Sequence, residues 1–170
     1  MTTMGLIETP PPGSDDVEEA VARYGSEMYG LTLAITANVH DAEDAYQTAW
    51  SDALRSWTKI RDVSKRRAWL ASIAARSAMH TRRRRATSNR LHVPFSEATA
   101  LMTVMHWDAE LGTAISQLSP RQRAVITLHF GHGFTLDEVG TILNCRGGTV
   151  RSHLGRALAN LRVVMGDERD

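Results

Sequence analysis

The run Thr135-Leu136-Asp137-Glu138 constrains this chain more than any other stretch, because it marks a helix start and the residues after it leave little freedom of geometry. A threonine and a glutamate three residues apart satisfy each other's free amide groups at a helix start. Leu136, Val139, Ile142 and Leu143 then supply one apolar face, Asn144 and Cys145 fall at a corner, and Val150, Leu154, Leu158 and Leu161 supply the inner face of a following helix. Gly140 is small where the two helices would cross closely. Residues 135–161 therefore predict two short helices joined by a tight corner. The outward stripe of the second contains Arg146, Thr149, His153 and Arg156, flanked by Arg151 and Ser152. Such side chains combine phosphate contacts with hydrogen bonds to base edges, and a DNA major groove admits one helix. The bland alternative is a solvated amphipathic helix. Cap, corner, apolar register and polar stripe together favour a groove reader.

Upstream, the chain reads as helices throughout. Residues 1–16, with Pro10, Pro11, Pro12 and Gly13 and no apolar periodicity, are expected to form a disordered leader. Val17, Val21, Tyr24, Met28, Leu31 and Ile35 recur at helical spacing after the capping candidates Ser14, Asp15 and Asp16. Asp41 is placed to cap a second helix, whose Ala45, Thr48, Ala49, Asp52, Ala53 and Trp57 predict close packing through small residues. A third helix over residues 65–85 carries Trp69, Leu70, Ile73, Ala74, Ser77 and Ala78 on one face, Arg66, Arg67 and Arg76 on the other, and ends in Arg82, Arg83, Arg84 and Arg85. Residues 86–106 lack a long period and are expected to be a linker, with Leu91, Val93, Phe95, Leu101 and Val104 available to cover neighbouring surface. A helix over 107–118 follows. Ser119-Pro120-Arg121-Gln122 then opens another with a capping box and a proline at the first helical position, which runs through Ala124, Val125 and Leu128 until Gly131 and Gly133. The expected fold is all-α: two small helical domains joined by a linker, the C-terminal one a helix-turn-helix.

A net charge of +1 over 170 residues conceals segregation. Residues 1–60 carry 10 acids against 3 bases, residues 61–90 carry 10 bases against 1 acid, and residues 119–165 carry 6 arginines against 2 acids. That pattern fits one surface for a basic protein partner and two for a polyanion. No apolar run approaches the ~20 residues of a membrane span, so no membrane insertion is expected, and the absence of a secretory pattern points to a cytoplasmic protein. The single cysteine, Cys145, excludes an intramolecular disulfide framework and offers no zinc spacing. His40-Asp41 superficially resembles the metal pair of histidine-aspartate phosphohydrolases, but His129, His132 and Asp137 complete no convincing set. The expectation is therefore no catalytic residue, no metal and no cofactor.

Two segments carry a family resemblance. "LSPRQRAVITLHFGHGFTLDEVGTILNCRGGTVRSHLGRALANLR" resembles domain four of the bacterial sigma-70 superfamily, and "DAEDAYQTAW" followed by "RAWLASIAARSAMHTRRRR" resembles domain two. Their order and separation are those of the small extracytoplasmic-function (ECF) sigma factors. The resemblance implies domain two over 17–85, a linker over 86–106 and domain four over 107–165. It further implies polymerase docking through Asp41, Glu43, Asp44 and Gln47. Recognition of the minus-ten promoter element would fall to Arg66, Arg67, Trp69 and Arg76, with Arg82 and Arg83 on the phosphates, and of the minus-thirty-five element to Arg146, Thr149, Arg151, Ser152, His153 and Arg156. The implied partners are RNA polymerase core, promoter DNA and, as a class expectation, an anti-sigma protein. Tyr46 and Trp50 depart from the family pattern in the docking helix, as do Arg76 and His80 in the basic one. Two rival readings remain at this stage: a helix-turn-helix regulator that binds DNA alone, and a sigma-like adaptor that binds polymerase without initiating transcription.

Overall fold

The computed structural model describes residues 14–88 and 108–166. The leader up to residue 13 and most of the expected linker lie outside the described residues. Among the described residues every regular element is helical.

Helix α1 (Ser14–Thr36) buries Ala20, Met28, Leu31 and Ile35, a stripe at spacings of eight, three and four. The burying stripe is rotated from the expected one: Ala20 is inside, whereas Val21 is 42% exposed. In its last two turns α1 is buried all round, with Thr32, Leu33, Ala34 and Thr36 at 0% exposure, because elements pack on both sides of it. The two threonines meet the demand of their buried hydroxyls by bonding to the carbonyls of Tyr29 and Thr32, both at 2.8 Å. Ala37, at φ 50°, ends the helix in the left-handed region.

Helix α2 (Val39–Arg55) is capped by Asn38, whose side-chain oxygen accepts from the Asp41 amide at 2.9 Å. This corrects the expectation that Asp41 is the cap; Asp41 sits in the first turn, where a carboxylate favours the positive end of the helix dipole. The buried face is Ala42, Ala45, Ala49, Trp50 and Ala53. Thr48 and Asp52, expected on that face, are exposed. Small residues at four-residue intervals let α2 approach α3 (Val63–Ser88) closely enough for Ser77 Oγ to donate to the Ala45 carbonyl at 2.8 Å. A 3-10 turn, Trp57–Lys59, joins the two. Helix α3 answers with its own small face, Ala71, Ala74, Ala75 and Ala78, interleaved with Leu70 and Ile73.

Helix α4 (Ala109–Ser116) is capped by Asp108, which accepts from the Leu111 amide at 2.8 Å. Helix α5 (Pro120–Ile126) opens with the expected capping box and proline, then widens into a π-turn, Thr127–Gly131. Gly133, at φ 72°, completes the reversal. Helix α6 (Leu136–Ile142) starts on the Thr135–Glu138 box, and α7 (Gly147–Val164) follows the corner. At that corner Asn144 adopts φ 49° and the Cys145 amide bonds back to the Gly140 carbonyl at 2.9 Å. A Cβ on Gly140 would stand 3.0 Å from the Cys145 carbonyl oxygen, so it is the folded-back backbone, more than the helix crossing, that requires glycine there.

One apolar core runs from α1–α3 into α5–α7, joining Leu31, Leu70 and Ile73 to Val125, Leu128 and Val139. A second joins Leu33 and Ala34 of α1 to Ile115, Leu118, Ile126 and Leu161. The two helical units are thus packed directly on one another, an arrangement the sequence reading did not foresee.

Candidate nucleic-acid interface

The reader helix α7 is anchored by Val150, Ala157 and Leu161, which are buried, with Leu154 and Leu158 half-buried beside them. Ala157 is a core position that the leucine periodicity missed, because alanine carries little hydrophobic signal. This seating leaves Arg146, Thr149, Arg151, Ser152 and Arg156 exposed along the opposite side, with His153 half-buried. Five of the six expected reader residues therefore lie on α7 and Arg146 is its N-cap; all but His153 are exposed. Burial, followed by the Arg121 and Arg156 guanidiniums, lowers the His153 pKa, so its imidazole is neutral at neutral pH and can donate and accept.

The basic residues of α3 divide sharply. Arg76, Arg83 and Arg84 are exposed. Arg82 donates to the Thr36 carbonyl at 3.3 Å, and Arg85 pairs with Asp41 at 2.5 Å and with Asn38 at 2.8 Å. Both brace the α1–α2 corner. Arg66 is 8% exposed, lies 4.8 Å over the Trp57 ring and reaches Asp16 at 3.6 Å. Arg67 grips both oxygens of Glu27 at 3.0 Å, donates to the His132 carbonyl and stacks 4.2 Å from the centre of the Phe134 ring. Trp69 is half-buried edge-on to Trp57, with ring centres 6.0 Å apart. Of the six residues expected at the minus-ten element, Arg76 and Arg83 are exposed, Trp69 is half-buried, and Arg66, Arg67 and Arg82 turn toward partners within the protein.

The acidic side of α2 exposes Glu43, Asp44 and Gln47, while Asp41 is half-buried under Arg85. Leu54 lies on the same stripe, two turns beyond Gln47, and is 50% exposed. Sequence reasoning missed it; the signal was a leucine at helical register with a polar face. Behind this face Tyr46 and Trp50 extend an edge-to-face aromatic row from Tyr29, with ring centres 5.7 and 6.4 Å apart. The two departures from the family pattern therefore form an aromatic row with Tyr29 of α1. No cluster of histidine, cysteine or acidic residues suited to a metal occurs among the described residues, and none of their helices is long and apolar enough to cross a membrane.

A helix-turn-helix with an exposed basic stripe, set beside a second helical unit with basic and acidic faces, defines a DNA-binding protein of the transcription machinery. Residues 20–88 match the model of Sigma-70 region 2, and residues 114–163 that of Sigma-70 region 4. The RNA polymerase sigma-E factor of Streptomyces coelicolor is 31% identical over 153 residues, covering 86% of this chain and 84% of the relative. The ECF RNA polymerase sigma factor SigW of Bacillus subtilis is 28% identical, covering 90% of each chain. In fold, the chain is similar to the sigma factor RpoE of Bartonella quintana, solved with the anti-sigma factor NepR, at a TM-score of 0.70 and 20% identity, with 91% of this chain and 99% of that one covered. The chain belongs to the sigma-70 family of RNA polymerase sigma factors, in its extracytoplasmic-function group. Members of this class direct promoter-specific transcription initiation.

Proposed function

We propose that this sigma factor divides its work between three surfaces. Glu43, Asp44 and Gln47 on α2, with Asp41 at its start and Leu54 at its end, dock on the RNA polymerase core. Arg76, Arg83 and the neighbouring α3 residues Arg66, Arg67, Trp69 and Arg82 engage the minus-ten element. Arg146, Thr149, Arg151, Ser152, His153 and Arg156 on α7 read the minus-thirty-five element. The units correspond to residues 17–85 and 107–165, working in the cytoplasm without catalysis or cofactor. Opening a duplex in this scheme needs only binding energy: unstacked bases are held by aromatic and guanidinium planes and the strand by cations.

The single observation that carries the reading is the exposure of the α7 stripe on a helix whose other side is locked into the core. An anti-sigma protein is inferred as a partner, since the similar RpoE of Bartonella quintana was solved with the anti-sigma factor NepR, and CnrH with the cytosolic domain of CnrY. Reconstituted transcription with core polymerase on a genomic template library tests the whole scheme. Start sites sharing two spaced elements are the expected result. Specific duplex binding without core would point instead to an ordinary regulator, and core binding without specific starts to an adaptor.

A further inference from the structure

Arg66 opens the basic face of α3, yet its side chain is not placed to meet a phosphate. It is 8% exposed, its guanidinium lies 4.8 Å over the Trp57 ring, and Nη2 reaches Asp16 of α1 at 3.6 Å. Nε is buried without a hydrogen-bond partner. A cation withdrawn this far from water needs compensation, and the Asp16 carboxylate, long in contact and largely in solvent, supplies little. The face of the indole supplies the rest, because the attraction of a guanidinium to a tryptophan ring grows as water is excluded.

The ring it holds is placed for use. Trp57 opens the 3-10 turn between α2 and α3. Arg66 and Trp69 stand three residues apart on α3 and are neighbours on one face, and Trp57 lies against both, with the two indole centres 6.0 Å apart. The turn has no buried residue and its cap Ser56 makes no side-chain bond, so what fixes the ring is its contact with Arg66, Trp69 and the edge of the core. Both indoles are half-buried and keep part of their surface open. Exposed Arg76 lies seven residues beyond Trp69 on the same stripe, two turns or about 10 Å away. Single-stranded nucleic acid is bound by this combination: a ring that takes the face of a base and a cation that takes the backbone.

We propose that Arg66 is a positioning residue and not a phosphate contact: it holds the Trp57 indole against Trp69 so that an unstacked base of the minus-ten strand lies on it, while Arg76 takes the adjoining backbone. This rests on the three-surface reading above and changes one assignment within it. Arg66 keeps its place at the minus-ten surface but acts through Trp57, and Trp57 joins the residues that meet DNA. Loss of either side chain then has one consequence, failure to hold the opened strand, with the duplex still found.

Holoenzyme assembled from core polymerase and the full chain tests this on a promoter defined by its start-site map. Permanganate reactivity of unpaired thymines reads opening, and promoter affinity against salt counts phosphate contacts. Arg66→Gln is expected to keep core affinity and the salt slope and to lower opening about tenfold. Arg76→Gln, by contrast, should reduce the slope by about one. Trp57→Ala should match Arg66→Gln, and the double variant should lose no more than either alone. Arg66→Lys, which keeps a cation over the ring, should restore most of the opening. A slope reduced by about one in Arg66→Gln makes that residue a phosphate contact and overturns the proposal, as does wild-type opening by Trp57→Ala. If Arg66→Gln loses helicity by circular dichroism, Trp57→Ala and Arg66→Lys decide: loss of opening in the first with retention in the second supports the strut, and any other pattern overturns it. Fluorine spectra of the free chain labelled with fluorotryptophan read the strut without polymerase or promoter. The Trp57 signal, assigned through Trp57→Phe, should shift or broaden in Arg66→Gln, and an unmoved signal overturns the strut. A signal that moves in a chain giving no specific initiation would keep the strut, while the sigma reading and the opening role with it fell.

Discussion

At the scale of single residues, the glycines of the helix-turn-helix separate by sign. A Cβ on Gly140 meets backbone at 3.0 Å, and backbone cannot rotate away as a side chain does. Gly140→Ala should therefore lower stability by about 1–3 kcal/mol in urea unfolding. Gly155 lies inside α7 with nothing within 4 Å of its missing Cβ. Gly155→Ala should raise stability by about 1 kcal/mol through helix propensity alone. Equal effects at the two sites would contradict the placement of the corner. His132 makes a second residue-scale prediction. Burial of its ring, then the Arg67 guanidinium, depress its pKa from 6.5 to about 4, and Nε2 is buried without a hydrogen-bond partner. The unfolded chain binds a proton there that the folded chain refuses, so its stabilising contribution is full above pH 6.5 and is lost on acidification toward pH 4. Between pH 6.5 and 5 the loss is about 2 kcal/mol. Glu138 and Asp62, whose pKa values are lowered, begin to lose their own stabilising contribution only at more acid pH. His153 is shifted in the same direction as His132, so the comparison to make is His132→Gln against His153→Gln. The former should remove more of the slope between pH 6.5 and 5.

At the scale of elements, the reader depends on its supporting helix. Thr135 accepts from the Glu138 amide at 3.3 Å, and Glu138 accepts from the Thr135 amide at 2.8 Å. Thr135→Ala should cost about 1 kcal/mol of stability, read as a shift of the denaturation midpoint at unchanged slope. A neutral result would mean that core contacts alone set the start of α6. This box, the Ser119 box and the corner at Asn144 were legible in the sequence because capping chemistry is local: the residues that satisfy one another lie three apart. The identity of the α2 cap was not, since Asn38 and Asp41 are both competent oxygens and only the turn at Ala37 decides between them. Nor was the inward turn of Arg66 and Arg67. On α3 they read as a basic face, but their partners Asp16, Glu27, Trp57 and Phe134 come from elsewhere in the chain. Arg123, which is buried and donates to the Ala34 and Ile35 carbonyls, was invisible for the same reason. An arginine followed by Ala124 and Val125 in an inward-facing turn signals burial only once acceptors are known to await it, and those acceptors are backbone carbonyls that no side-chain pattern encodes.

At the scale of the whole molecule, charge segregation becomes a division of labour that can be measured. The acidic face at Glu43, Asp44 and Gln47 is on α2 and the basic stripe is on α7, at opposite ends of the described sequence. Asp44→Lys places a like charge opposite a basic partner and should weaken core-polymerase affinity at least about tenfold, the equivalent of ~1.4 kcal/mol, at every promoter alike. Arg156→Ala should leave core affinity unchanged. It should reduce initiation unevenly across promoters, by about 1–3 kcal/mol where Arg156 reads a base, and reduce the salt slope by about one where it contacts phosphate. Because the two side chains share no partner, the double variant should lose the sum of the single losses to within about 0.5 kcal/mol. Quantitative binding to core, followed by initiation from a panel of promoters at several salt concentrations, separates the terms. If Asp44→Lys changed the ranking of promoters while leaving core affinity intact, α2 would be a DNA surface and the assignment of acidic and basic faces would have to be reversed.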